Sequence, residues 1–263
     1  MNIFKIIDQL ANSDAEFTDK LSRRQIFKST TSLTTKIAVA AVPVLFASSI
    51  KKSYAGSKET IPQVLNYALT LEYLEDEFYR TALEKSSLIP ADRKAIFQQI
   101  SKHEASHVAF LKTALGSLSA TPVAKPTFDF TAGGAYADVF SNYQTFLALS
   151  QAFEDTGVRA YKGRAAELMS SDAVLTAALQ IHSVEARHAS MVRRLRAEKG
   201  WITGNNASGL PAAIYAGEDN VTQGGANVTS LGYSADIVTQ AFDEPLTPEN
   251  VLAIANLFIV KPS

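Results

Sequence analysis

Residues 104–107 read Glu-Ala-Ser-His, and a near copy, Glu-Ala-Arg-His, occupies residues 185–188. A Glu and a His that are three residues apart project from the same face of a helix. Each stretch therefore offers a carboxylate and an imidazole to a common point. This repeat predicts that the chain contains two copies of one helical unit.

Each copy also has an earlier carboxylate in a long amphipathic segment. The separation from Glu72 to Glu104 is almost the same as the separation from Glu154 to Glu185. Four carboxylates and two imidazoles are ligands with which a four-helix bundle holds two metal ions. The pattern thus predicts a dinuclear metal site with these ligands: Glu72, Glu104, His107, Glu154, Glu185 and His188.

Four amphipathic segments carry these residues, over residues 61–86, 91–115, 138–169 and 173–199. Short breaks separate the first segment from the second and the third from the fourth, whereas residues 117–137 form a long connection rich in Pro and Gly. Such spacing predicts two antiparallel helix pairs that are joined by a lengthwise crossover. The expected fold is an all-α four-helix bundle of the ferritin-like connectivity.

The carboxylates also fall at one height in this bundle. Glu72 and Glu104 lie equally far along the chain from Leu88, in the middle of the first short turn. Glu154 and Glu185 lie at nearly equal separations on either side of Ser171, in the second short turn. Because these separations agree to within one helical turn, we expect a single shared site.

Composition excludes several classes of protein. Hydrophobic residues make up 46% of the chain and charged residues 19%, which is typical of a folded domain. A formal net charge of −1 gives no electrostatic basis for binding nucleic acid. The chain has no cysteine, so disulfides and iron–sulfur clusters are excluded, and any metal must be held by nitrogen and oxygen ligands.

The N-terminal residues carry the features of an export signal. Residues 22–28, Ser-Arg-Arg-Gln-Ile-Phe-Lys, resemble a twin-arginine motif, and the apolar run at residues 37–50 is shorter than the about 20 residues of a membrane span. Ser-Tyr-Ala at residues 53–55 fits a cleavage site. We predict that residues 1–55 are a signal peptide, and that the mature chain is periplasmic or otherwise extracytoplasmic without a permanent membrane span.

The remaining chain divides at residue 200. Residues 56–200 are predicted to form the bundle, with Gly116 as the stop of its second helix and a solvated basic run at residues 193–199. Residues 201–263 are rich in turn-forming residues and are predicted to wrap around the same domain. Thr247 and Pro248 open a short helix near its end.

Residues 61–199 resemble the ferritin-like superfamily, and especially exported ferritin-like proteins related to desiccation-associated proteins. Residues 65–75, Leu-Asn-Tyr-Ala-Leu-Thr-Leu-Glu-Tyr-Leu-Glu, are similar to the opening of that group, and residues 241–247 are similar to its closing segment. The resemblance implies two bound iron ions, or manganese. By match to the family pattern, Glu72 and Glu154 would be terminal ligands, Glu104 and Glu185 would bridge or chelate, and each histidine would supply one nitrogen.

Tyr79 is a candidate catalytic residue by the same resemblance. Bacterioferritin-like proteins carry a Tyr two turns after the first Glu, and Tyr79 stands seven residues after Glu72. Tyr161 stands equally far from Glu154. Both side chains also fit the ordinary role of aromatic residues in an amphipathic core.

A zinc metalloprotease is an alternative, because His103, Glu104 and His107 match the H-E-x-x-H pattern. The second copy has Val184 in place of His103, so only Glu-x-x-His is repeated. His103 and His182 are then expected at the surface or behind the ligands, where His182 could orient Glu185.

The ligand set leaves two functional classes open. One is a stress-protective enzyme that oxidises Fe(II) with oxygen or removes peroxide. The other is a non-catalytic desiccation or stress protein with a structural metal site. A homo-oligomer fits either class, although the long crossover and the tail argue against a closed iron-storage shell.

Overall fold

The computed structural model describes residues 59–261, so the predicted signal peptide at residues 1–55 lies outside the described residues. Four long helices form the body of this part of the chain: α1 (Ile61–Glu84), α2 (Lys94–Ser117), α3 (Tyr143–Arg164) and α4 (Asp172–Leu195). Helix α1 packs against α2 and α3, and α3 packs against α4. The predicted all-α four-helix bundle is confirmed.

The connection between α2 and α3 runs along the length of the bundle. Near its start, the Thr121 carbonyl accepts a hydrogen bond from the Asn66 side chain in the second turn of α1. At its end, the ring of Tyr143 lies 6.4 Å from the ring of Phe97, in the first turn of α2. Since α1 and α2 are antiparallel, these two contacts lie at opposite ends of the bundle, as the crossover prediction requires.

Several helix ends differ from the prediction, including the end of α3, which stops at Arg164 rather than at residue 169. Gly116 does not stop α2, which continues to Ser117, and the left-handed residue that follows the helix is Ser119, with a φ of 55°. Helix α3 begins at Tyr143 rather than at residue 138, because the Asn142 side chain accepts a hydrogen bond from the backbone N–H of Gln144 and caps the helix there. None of these differences moves a predicted ligand out of its helix.

The core has an aromatic part and an aliphatic part, which meet along α1 near Glu72. In the aromatic part, the fully buried ring of Phe78 has four other phenylalanine rings around it at centroid distances of 5.0 to 5.7 Å: Phe130, Phe140, Phe146 and Phe153. The aliphatic part includes Leu65, Leu69, Leu111 and Leu115. The predicted ligands therefore lie between two apolar layers that keep water away.

The C-terminal extension lies against the bundle and ends in a short helix, as predicted. It contains a hairpin of β1 (Thr222–Gln223) and β2 (Ala226–Asn227), then α5 (Ala235–Thr239) and α6 (Pro248–Ala255). Thr247 caps α6, and Phe258 stacks edge-on with Phe153 of α3 at 4.9 Å. Asp129 of the crossover donates its backbone N–H to the Phe258 carbonyl. Within residues 59–261, no helix has the length and apolar character to cross a membrane.

Candidate metal centre

All six predicted ligands lie inside the bundle, contributed by all four helices. The four glutamates have no exposed surface, and the two histidine residues are at most 8% exposed. Helix α1 supplies Glu72, α2 supplies Glu104 and His107, α3 supplies Glu154, and α4 supplies Glu185 and His188. Burial of four carboxylates at one height requires a compensating positive charge, because like charges at close range repel strongly in a medium of low polarity.

The six residues form two adjoining groups, in each of which one ligand atom per residue lies within 4.8 Å of the others. The first group consists of Glu72, Glu104, His107 and Glu185. The second group consists of Glu104, Glu154, Glu185 and His188. Because Glu104 and Glu185 belong to both, the arrangement has two halves that share two carboxylates.

Each shared carboxylate presents a different oxygen to each half. His107 Nδ1 lies 3.1 Å from Glu104 Oε2 and 3.1 Å from Glu185 Oε1. His188 Nδ1 lies 2.9 Å from Glu104 Oε1 and 3.7 Å from Glu185 Oε2. Glu104 and Glu185 therefore span the two halves in the manner of bridging ligands.

Several of these atoms are close to one another without being hydrogen bonded. Buried atoms that have no hydrogen bond among the described residues include Glu104 Oε1, Glu154 Oε2, both Glu185 oxygens and His188 Nδ1. His188 Nδ1 nevertheless lies 2.9 Å from Glu104 Oε1, so the atoms meet at angles that no hydrogen bond satisfies. Buried unpaired polar atoms are rare and costly. A cation among them would satisfy them, and the mixed oxygen and nitrogen donors fit iron or manganese.

The protein alone compensates the buried charges by moving protons. Burial raises the pKa of Glu154 to about 7, although His188 opposes the shift. Burial acts in the same direction on Glu185, but the close contacts with His107 and His188 bring its pKa down to about 2. Burial alone would lower the pKa of His107, and its contacts with Glu104 and Glu185 raise it to about 12. The groups thus respond to one another as one electrostatic unit.

Two buried tyrosines hold the outer carboxylates by crossed hydrogen bonds. The Tyr79 hydroxyl on α1 donates to Glu154 Oε1 on α3 at 2.5 Å, and the Tyr161 hydroxyl on α3 donates to Glu72 Oε1 on α1. The second oxygen of each carboxylate faces a histidine. Glu72 Oε2 lies 3.2 Å from His107 Nδ1, and Glu154 Oε2 lies 3.3 Å from His188 Nδ1. Tyr79 therefore orients a predicted ligand, and its redox role stays a prediction.

The two remaining histidines lie outside the two groups. His103 Nδ1 lies 2.8 Å from His188 Nε2, and neither group includes His103. His182 does not orient Glu185 through a hydrogen bond as expected, because His182 Nδ1 and both Glu185 oxygens have no hydrogen bond among the described residues. His103 and His107 therefore do not converge on one point in the way that a zinc protease requires.

Glu75 is a further buried carboxylate beside the site, and the sequence pattern assigned it no role. A side chain at Gly157 would place its Cβ 3.2 Å from Glu75 Oε1 and 3.7 Å from Glu185 Oε2. Burial, reinforced by Glu185 and Glu154, raises the pKa of Glu75 well above its ordinary value and favours its protonated form. Glu75 follows Glu72 by three residues, and this spacing could have placed its carboxylate on the same inward face of α1.

The basic run at the end of α4 is not solvated throughout, so that interpretation was wrong for two residues. Arg193 is 4% exposed and donates to both Asp155 oxygens, at 3.0 and 2.6 Å. Arg196 donates to Gln151 Oε1 at 2.6 Å. Asp155 also accepts a hydrogen bond from Tyr215 of the extension, at 2.7 Å. These arginines supply the donors that buried acceptors on α3 need.

Comparison with protein families gives a match that spans the whole bundle. The family model described as a ferritin-like domain matches residues 61–198. No curated protein matches the chain. The matched residues include α1 to α4 and all six predicted ligands, and they end before the extension.

Proposed function

Because the chain belongs to the ferritin-like domain family, we propose that it binds two divalent metal ions, iron or manganese, between its four helices. The observation that carries this proposal is the sharing of Glu104 and Glu185, each with one oxygen toward His107 and the other toward His188. Among the described residues, these two histidines are the only ion-pair partners of the four carboxylates. When the two histidines act as neutral metal ligands, two divalent cations would offset the charge of the four carboxylates.

Each part of the surrounding protein has a task in this proposal. Glu72 with His107 would hold one ion, and Glu154 with His188 would hold the other. Tyr79 and the second tyrosine keep the outer carboxylates in place, and the apolar layers exclude water. The ions, when bound, would supply redox or Lewis-acid chemistry.

We propose that the reaction is oxidation of Fe(II) by oxygen, or removal of peroxide, in protection against stress. The enclosed carboxylates support chemistry on a small oxidant rather than on a large organic substrate. The same enclosure also fits a second candidate, a non-catalytic desiccation or stress protein whose metal pair only stabilises the bundle. The two candidates differ in whether the site turns over.

Stopped-flow absorbance during aerobic addition of Fe(II) to the mature chain separates them. An oxidase consumes successive additions of Fe(II) with oxygen uptake, whereas a structural site gives one stoichiometric event. A peroxide-removing enzyme consumes added hydrogen peroxide in the metal-loaded state. Metal analysis of protein from its native source would identify the ion. Binding of fewer than two ions per chain at saturation contradicts the proposed dinuclear site.

Substitution of the shared carboxylates tests the arrangement of the site. Glu104→Ala or Glu185→Ala is expected to abolish binding of the metal pair, because each change removes a ligand from both halves. Glu84→Ala, at an exposed position near the end of α1, serves as the control and leaves two ions per chain. Loss of all metal in His103→Ala, with Glu154 and Glu185 dispensable, would favour the zinc protease instead.

Export by the twin-arginine route is also a proposal, and it rests on residues 22–28. Replacement of Arg23 and Arg24 by Lys is expected to leave uncleaved precursor inside the cell, which an immunoblot of cell fractions detects. Replacement of Lys51 and Lys52 by Arg keeps all charges and serves as the control. Normal export of the Arg23 and Arg24 variant would rule out this route.

A further inference from the structure

His103 gives one half of the site a contact that the other half lacks. Its Nδ1 lies 2.8 Å from His188 Nε2, and the two rings lie edge to edge, with their centroids 5.1 Å apart and an angle of 13° between their planes. In the repeated unit, the position equivalent to His103 is Val184, whose side chain has no hydrogen-bonding group. Within residues 59–261, no corresponding hydrogen bond reaches His107 Nε2. The two halves therefore have matching ligands, but within this part of the chain only the ligand His188 has a hydrogen-bond partner on the side away from the site.

The contact fixes where the protons lie once His188 acts as a ligand. A nitrogen that binds metal carries no proton, so His188, with Nδ1 toward Glu104 and Glu154, must carry its proton on Nε2. That Nε2–H then donates to His103 Nδ1. His103 in turn carries its proton on Nε2, which lies 2.7 Å from the side-chain amide nitrogen of Gln99. A half-turn of that amide presents its oxygen as the acceptor.

We propose that His103 is a positioning residue that holds His188 with Nδ1 toward the site and makes the His188 half the tighter of the two metal positions. This inference rests on the proposed dinuclear site. A hydrogen bond from a ligand imidazole to an outer acceptor fixes the ring and raises its basicity, and its loss typically lowers metal affinity about 10-fold to 100-fold. Gln99 is exposed, His103 is half-buried and His188 is buried, so the chain of contacts runs from the surface to the site.

Titration of the metal-free mature chain with Co(II), followed by calorimetry and absorbance, tests the proposal. The wild-type chain is expected to bind two ions in two resolved steps. His103→Ala should weaken the tighter step about 10-fold to 100-fold and leave the weaker step and the total of two ions unchanged. Val184→Ala removes the equivalent side chain of the other repeat, so it serves as the matched control and should change neither step.

A second readout distinguishes positioning from a general loosening of α2. In the Co(II)-loaded chain, the His188 Nε2–H proton should give a shifted, slowly exchanging resonance, because His103 shields it from water. His103→Ala should lose this resonance, whereas His103→Gln, which retains an acceptor, should recover it together with part of the affinity. Gln99→Leu removes only the outer contact and should weaken the tighter step less than His103→Ala does.

Three results would overturn the inference: equal weakening of both steps in His103→Ala, no weakening of either step, or the same loss in Val184→Ala. Failure of the wild-type chain to bind two ions would instead contradict the dinuclear site itself. The two failures are therefore distinguishable.

Discussion

Among single residues, Tyr79 and Tyr161 show how a side chain on one helix orients a predicted metal ligand on another helix. Tyr79 follows Glu72 by two turns but donates to Glu154, and Tyr161 follows Glu154 by two turns but donates to Glu72. Each hydrogen bond occupies one carboxylate oxygen and leaves the other toward the site. Hydrogen bonds to ionised groups are stronger than those between neutral groups, so each bond restricts its carboxylate.

Removal of one hydroxyl should therefore weaken metal binding in one half only. Tyr79→Phe frees the Glu154 carboxylate and is expected to lower the metal affinity of the His188 half about 10-fold or more. Tyr161→Phe frees the Glu72 carboxylate and is expected to have the same effect on the His107 half. Metal titration of each metal-free variant gives both affinities. Tyr143→Phe removes a hydroxyl that has no hydrogen bond among the described residues, and it should leave both affinities unchanged.

Equal weakening of both halves by either tyrosine variant would contradict this assignment. An unchanged affinity in both variants would show that the hydroxyls pack against the carboxylates without orienting them.

Among the helices, α3 is the one that the rest of the protein covers. Its inward face carries Glu154, and its outward face carries Gln151, Asp155 and Arg159 at a spacing of four residues, all buried. The extension covers this outward face, where the Leu246 backbone N–H donates to the Arg159 carbonyl at 3.3 Å. The close approach of the two chains is possible because α3 has glycine one turn further on, at residue 163.

Gly163→Ala should loosen this contact. A Cβ at position 163 would overlap the Leu246 carbonyl oxygen, which is backbone and cannot rotate away. We expect the free energy of unfolding to fall by about 1–3 kcal/mol, the range typical of overpacking. Gly116→Ala is the control, since a Cβ there meets nothing within 4 Å, and it should gain up to about 1 kcal/mol from helix propensity.

Urea denaturation of both variants measures the difference. Equal stabilisation by the two alanines would mean that the extension does not rest on α3 at this point.

For the molecule as a whole, Arg159 ties the extension to the bundle. Its fully buried guanidinium donates to the carbonyls of Ile214, Ala216 and Glu244, and it forms an ion pair with Glu218 at 2.9 Å. Burial raises the pKa of Glu218 to about 7, although Arg159 opposes the shift. One side chain of α3 thus satisfies acceptors from two separate segments of the extension.

Arg159→Met should remove this tie. It leaves Glu218 without its ion-pair partner and three carbonyls without the guanidinium donor. Loss of one partner of a buried ion pair typically costs about 3–5 kcal/mol of the free energy of unfolding. Addition of Glu218→Gln should recover part of the loss, because it removes the unpaired carboxylate. Urea denaturation gives the free energies, and limited proteolysis should cleave the extension faster in Arg159→Met. Stability equal to the wild type would show that water replaces these contacts without cost.

Removal of metal is expected to destabilise the folded chain in a pH-dependent way. Without metal, burial raises the pKa of Glu154 from 4.5 to about 7, so the folded state holds a proton that the unfolded chain releases between these pH values. The contribution of Glu154 to stability is then present below pH 4.5 and lost as pH rises through about 7. The shift of Glu185 from 4.5 to about 2 acts in the opposite sense, and its contribution to stability is lost as pH falls from 4.5 to about 2.

The gap in melting temperature between metal-loaded and metal-free protein should therefore widen as pH rises from mildly acidic to neutral. Bound metal adds about 2.7 kcal/mol to the free energy of unfolding when the concentration of free metal is one hundred times the dissociation constant. Protons compete with the metal for the same ligands, so this gain shrinks as pH falls. Thermal unfolding of both forms measures the gap, and Glu154→Gln should flatten the pH dependence of the metal-free form. If both forms melt together at neutral pH with confirmed metal occupancy, the six residues do not form a buried site.

The order of amino acids is enough to predict the bundle and the residues at its centre. Helical periodicity places each Glu-x-x-His on one face, and the lengths of the breaks set the pairing of helices and the crossover. These features follow from local geometry, because the rise and turn of a helix are the same in every protein. The position of Glu75 on the inward face follows in the same way, although the repeat assigned it no role.

The partners that meet across helices depend instead on packing. Tyr79 bonds Glu154 rather than its neighbour Glu72, His103 bonds His188, and Arg193 turns to Asp155 instead of to solvent. These partners are distant in the sequence, so no local pattern connects them. The rotation of each helix about its axis selects them, and that rotation is set by the packing of the entire core and by the extension that covers α3.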